Sequence, residues 1–167
     1  MNHININLAH DEFNLYNPAY CGFLLNTIIR EYYSSKKNGM PSALVYLCLP
    51  ILLTTPIRNN LPKSKSTNIL SWVNHNKSLL IDFPDTVHCF FKVSQPAIDF
   101  IYGQNLISIN DNGEIIPNTN IKITANPILF KSSISMSSHL SNSKLIGRWF
   151  AASPDAKTIY STLGIRP

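Results

Sequence analysis

Leu106-Ile107-Ser108-Ile109-Asn110-Asp111-Asn112-Gly113-Glu114-Ile115-Ile116 is the stretch that decides the fold class. Apolar residues alternate on both sides of an Asn/Asp-Gly turn, which is a strong short-range hairpin signal. The apolar stretches from Tyr16 up to it read at the helical period. Asn17-Pro18 is a helix start, with Asn as the cap and Pro at the first helical position. Tyr16, Tyr20, Phe23, Leu24, Ile28 and Tyr32 then recur at three- and four-residue spacing, and Gly39 is the expected stop. Met40-Pro41 turns the chain into the apolar segment 42–54, predicted to be a buried helix kinked at Pro50. Residues 55–66 form a polar, basic connector with two prolines. Ser66 or Thr67 can cap a helix carrying Ile69, Leu70, Trp72 and Val73, and a longer helix over 82–104 contains Pro96. Two helices followed directly by a hairpin is the order of a winged helix-turn-helix. The predicted class is therefore mainly α (α+β): a helical domain with a winged-helix-like unit and one β-hairpin near 106–116.

Downstream of the hairpin, residues 117–133 read as irregular. Seven serines crowd 132–143, a composition typical of linkers. Ile134, Met136, Leu140, Leu145 and Ile146 nonetheless support a helix, expected from about 138 to 151. Ser153-Pro154 then starts a short last helix with Ile159, Leu163 and Ile165 inward. The chain, 167 residues, fits a single domain with a proper core. It is expected to comprise a helical part over 1–65, a winged-helix-like part over 66–120 and a helical tail over 121–167.

Charge narrows the function classes. Only 14% of residues are charged, against about 25% in a typical globular protein. Such a surface suits a subunit of a larger assembly, or simply reflects an AT-rich coding sequence. The net charge of +5 is unevenly spread. No acidic residue lies between Glu31 and Asp82, and past Glu114 Asp155 is the only one. The best candidate for nucleic-acid contact is Arg58, Lys63, Lys65 and Lys77, since phosphate binding needs only clustered positive charge. Asn74, His75 and Asn76 would be the base readers. The alternative is a connector kept soluble by lysine.

Catalytic and cofactor signatures are missing. There is no P-loop pattern, no Cys-x-x-Cys and no His-Glu-x-x-His. The five histidines lack ligand spacing, and the carboxylates are too scattered for a metal-dependent nuclease. Cys21, Cys48 and Cys89 lie among apolar residues and are expected to be buried, reduced and inert thiols of a cytoplasmic protein. No catalytic, cofactor or metal residue is assigned, and the chain is not expected to be an enzyme. No secretory leader pattern is visible at the N-terminus. The most apolar run, Ala43 to Leu53, spans eleven residues, too few for a bilayer, which takes about 20. No membrane association is expected.

The tail carries the remaining functional signal. Gly147-Arg148-Trp149-Phe150-Ala151-Ala152, Thr158-Ile159-Tyr160 and Leu163-Gly164-Ile165-Arg166-Pro167 place large apolar groups where chain ends are usually polar. They either close the chain's own core beside Trp72 or dock on a partner. The mixed assignment puts Trp149 and Ile159 inward, with Arg148, Tyr160 and Arg166 open to a partner; Arg148, Trp149, Phe150, Tyr160 and Arg166 are the candidate partner-binding residues.

With this tail, Tyr16-Asn17-Pro18-Ala19, Leu49-Pro50-Ile51-Leu52, Thr55-Pro56-Ile57-Arg58, Leu61-Pro62, Ser71-Trp72 and the hairpin, the chain resembles the small middle component of bacterial three-component ABC-ATPase conflict systems, the group that includes the Lamassu-type anti-phage systems. The resemblance runs over almost the whole chain. It implies a non-catalytic subunit whose partners are an SMC/Rad50-like ATPase and an effector, commonly a nuclease, which the subunit helps hold inactive until invading DNA is sensed. The segment 131–144 departs from that pattern, with Ser where helix-forming residues are anticipated. A stand-alone winged-helix DNA-binding regulator is the competing reading.

Overall fold

A computed structural model describes residues 16–165. Helix α1 (Pro18–Lys36) starts where expected: the Asn17 carboxamide accepts from the Ala19 and Tyr20 amides at 2.8 and 3.4 Å. Its stop is not Gly39. Lys37 takes the left-handed conformation (φ 64°) and returns its amide to the Tyr33 carbonyl. Gly39 instead lets the backbone pass the hairpin, since a Cβ there would stand 2.7 Å from Glu114 Cβ.

The next two residues form a strand that the sequence pattern does not announce. β1 (Met40–Pro41) pairs antiparallel with the second hairpin strand, Met40 opposite Ile115 and Pro41 opposite Glu114. Helix α2 (Ser42–Leu53) follows, with Pro50 inside it, and buries nearly its full circumference. A helix apolar all round must lie in the core. The connector then holds one more short helix, α3 (Thr55–Asn59). α4 (Ile69–His75) is capped by Asn68, whose side chain accepts from Ser71, and not by Ser66 or Thr67. A single 3-10 turn (Lys77–Leu79) leads to α5 (Phe83–Gly103), with Pro84 in its first turn and Pro96 inside.

The hairpin is β2 (Ile107–Ile109) and β3 (Glu114–Pro117), with Ile109 opposite Ile115. Asn110 Oδ1 accepts from the Asn112 and Glu114 amides, and Gly113 supplies the positive φ of 72°. With β1 the sheet is three-stranded and antiparallel, in the order β1-β3-β2. After an irregular stretch come α6 (Ile128–Lys131) and α7 (Ile134–Ala152). The Ser-rich segment is thus helical from Ile134, four residues earlier than predicted. Ser133 caps it, and serine hydroxyls return to backbone carbonyls one turn back, as Ser143 does to His139 at 2.8 Å. α8 (Ala156–Thr162) starts at Asp155 and not at Ser153-Pro154.

α1 is the central element. It packs along α7 and against α5, while α2 spans both. Two glycines allow the close approach: a Cβ on Gly22 would meet Ile101 Cγ2 at 2.8 Å, and one on Gly147 would meet the Ile28 carbonyl. A single apolar cluster runs from Cys21 to Leu163 and draws on the four long helices and all three strands.

Candidate interaction surfaces

The helical turn at the end of α7 places Trp149 and Phe150 inward and Arg148 outward. Both aromatics are fully buried in the chain's own core. Trp149 meets Trp72 edge-on at 5.1 Å and donates its indole N–H to the Thr67 carbonyl at 2.8 Å. Of the two roles open to the tail, these residues take the core-closing one, and in this fold they offer no surface. Arg148 is exposed, forms a 3.5 Å ion pair with Glu31 and donates from Nε to the Lys144 carbonyl. An exposed pair of this kind contributes about 1 kcal/mol at most.

α8 aims Ile159 and Leu163 inward, as expected. Its cap, Asp155, accepts from the Thr158 amide at 2.9 Å, which holds the carboxyl below its usual range. Tyr160 is half-buried. Its hydroxyl donates to the Ala43 carbonyl at 2.7 Å, and burial pushes its pKa up to about 12. The ring, however, helps line an open groove of about 440 Å³ with Tyr46, His88, Phe91 and Ile165. Phe91, which stacks on Tyr46 at 5.1 Å, is 51% exposed there. Arg166 lies outside the described residues.

The basic connector is divided. Arg58 closes the C-terminus of α2, donating to the Leu52 and Leu53 carbonyls at 3.1 and 3.5 Å and to Thr55 Oγ1 at 3.2 Å. Those carbonyls have no partner within the helix, so Arg58 is tied to the fold. It shares a shallow cleft of about 450 Å³ with Lys63, Asn59, Ser138 and Asn142. Lys65 and Lys77 are exposed but do not line that cleft. Of the expected base readers, Asn76 Nδ2 donates to Trp72 O and His75 Nδ1 contacts Ser71 O, so both are occupied by α4 itself.

A partly buried polar pair, Tyr20 and His139, is absent from the sequence reading. The Tyr20 hydroxyl and His139 Nδ1 are 2.7 Å apart. Burial, with the Arg58 charge adding to it, lowers the His139 pKa to about 4, and Nε2 has no hydrogen-bond partner among the described residues. His139 is therefore a neutral core group at pH 7. Burial raises the Cys21 thiol to about 12 and the Cys48 thiol higher still, so neither supplies a thiolate. Cys89, expected to be buried, is exposed on α5. Among the described residues no three His, Cys, Asp or Glu side chains come together to hold a metal ion, and no helix is long and apolar enough to cross a membrane.

The α6–α7 turn carries a surface that the sequence reading did not single out. Phe130 plugs inward, stacking on Tyr20 at 5.6 Å and packing on Phe23 at 4.9 Å. Its neighbours Ile128 and Leu129 are 83% and 72% exposed, and Ile134 is 93% exposed. Ile134 does begin a helix, as its spacing with Met136 and Leu140 suggested, but on the exposed side. The sequence shows three large apolar residues in a row, Ile128-Leu129-Phe130, and the fold makes them a four-residue helix that buries only Phe130.

No curated protein and no solved structure matches the chain. The model of one family, described as ABC-three component (ABC-3C) system Middle Component 3, matches residues 7–167. The same residues build the core, the sheet and the surfaces above, and so this chain belongs to the middle component 3 family of ABC-three component systems.

Proposed function

We propose that this protein is a non-catalytic, cytoplasmic adaptor of a bacterial anti-phage complex of the Lamassu type. It bridges an SMC/Rad50-like ATPase and an effector, a nuclease, and helps restrain the effector until foreign DNA is sensed. The observation that carries this reading is the family match, which runs from residue 7 to residue 167 and takes in every element of the fold. The surface supports it: low charge, a groove beside Tyr160 and Phe91, and an apolar turn at Ile128. Co-expression of the chain with the ATPase and effector components of its own system tests the reading. One complex of all three is expected, with effector cleavage lower than in its absence. Equal association of ATPase and effector without this chain would sink the bridging role, and turnover by the lone chain would sink the non-catalytic one.

A second reading, a stand-alone winged-helix DNA-binding regulator, is favoured by the sheet. A strand after the first helix pairs with the second strand of a hairpin that follows a long helix. Charge ranks it lower. The helix before the hairpin, α5 and not the α4 segment that carries Asn74, His75 and Asn76, is the one a winged-helix order sets against DNA, yet residues 82–114 hold Asp82, Asp85, Asp99, Asp111 and Glu114 against Lys92 alone. Phosphate contact requires the opposite balance. Absence of any mobility shift by the isolated chain on duplex DNA at low salt would remove this reading.

A further inference from the structure

We infer that the α6–α7 turn is a docking site for another component of the complex, one that presents an apolar face rimmed by carboxylates; this rests on the adaptor reading above. The turn is built rather than loose. Phe130 anchors it in the core between Tyr20 and Phe23. The Phe130 amide returns to the Pro127 carbonyl at 3.0 Å, Ser132 Oγ donates to the Leu129 carbonyl at 2.6 Å, and Ser133 caps α7. This framework holds Ile128, Leu129 and Ile134 out in water, at exposures of 72–93%. Large apolar side chains held exposed on an anchored turn are the raw material of an interaction site.

Charge selects the occupant. Lys131 lies within the turn, and Lys144 reaches the preceding loop, its Nζ 2.8 Å from Asn126 Oδ1. From residue 115 to residue 154 there is no Asp or Glu. An apolar partner face ringed by carboxylates would bury the aliphatics and meet these lysines at the rim, where complementary charge sets orientation and on-rate. Beyond Ile134, α7 exposes Ser135, Ser137 and Ser141. These small hydroxyl side chains let a partner backbone approach closely and offer it hydrogen bonds, which suits a protein face better than acyl chains.

The test is the triple variant Ile128→Ser/Leu129→Ser/Ile134→Ser, with Lys131→Glu as an independent charge reversal, each co-expressed with the ATPase and effector components. The triple variant is expected to weaken assembly at least about tenfold with an unchanged melting temperature. Lys131→Glu is expected to slow association. Assembly of the triple variant at wild-type affinity would overturn the docking site alone, whereas a wild-type chain that joins neither component would overturn the adaptor reading and this inference together. A dimer of the isolated wild-type chain, lost in the triple variant, would assign the patch to a second copy instead. Binding to phosphatidylglycerol vesicles, lost in the same variant, would assign it to a membrane.

Discussion

Gly147 stands where α7 crosses α1, with no room for a methyl group: a Cβ would meet the Ile28 carbonyl and come within 2.8 Å of Glu31 Cβ. Helix propensity alone would favour Gly147→Ala by about 1 kcal/mol. The obstacle is backbone, which cannot rotate away, so the substitution is expected to destabilise by about 1–3 kcal/mol, the usual cost of overpacking. A lower urea midpoint at constant m-value is the readout. Two residues on, Trp149→Ala would remove a fully buried indole and leave the Thr67 carbonyl without its donor. A loss of about 3–5 kcal/mol is expected, and near-normal stability would return Trp149 to the surface role the sequence allowed. His139 sets a pH dependence. Its folded pKa of about 4 lies below the ordinary 6.5, so the unfolded chain binds the proton first. Stability from this group is complete above pH 6.5 and is lost as pH falls towards 4, by an amount on the order of 3 kcal/mol. Urea midpoints measured from pH 7 to pH 4.5 should fall more steeply for wild type than for His139→Gln; parallel curves would show that His139 does not titrate in this window.

Arg58 shows how a residue chosen for charge can be claimed by an element. Sequence reading placed it in a phosphate-binding patch, but it donates to the last carbonyls of a helix that is buried almost all round. Charged hydrogen bonds of this type contribute about 1.5–3 kcal/mol. Arg58→Ala is therefore expected to lower the melting temperature, while Lys63→Ala, whose side chain is exposed and bonded to nothing among the described residues, should leave it unchanged. If both variants melt like wild type, the cap is unimportant. The same contrast explains what sequence could show. The start of α1 and the hairpin were legible because Asn17-Pro18 and Asn112-Gly113 act locally. β1 was not, because a two-residue strand exists only through its pairing with Ile115 and Glu114, more than seventy residues away. The start of α7 was hidden by serine, which reads as linker until Ser133 is seen as a cap. Ile128, Leu129 and Ile134 look like core residues in any sequence. Only the three-dimensional fold shows that Phe130 takes the one inward place.

At the scale of the molecule, charge is segregated along the chain: residues 32–81 and 115–154 carry no acid, and residues 82–114 carry five of the nine acidic groups. The tail belongs to the core, so on the adaptor reading proposed above partner contact would fall to Arg148, to the groove beside Phe91 and, above all, to the α6–α7 turn. An isolated chain with so few charges and such an exposed turn is expected to stay monomeric in dilute solution but to precipitate at high concentration, and the triple serine variant should remain soluble at higher concentration. Unchanged solubility would show that the patch is not sticky by itself. The most direct measurement is amide hydrogen exchange on this chain, free and assembled with its ATPase and effector components. Protection is predicted to rise across residues 128–141 on assembly, while the amides around Trp149 and Ile159 remain as slow as in the free chain. Assembly with no change over 128–141, or with new protection confined to 147–160, would contradict the account.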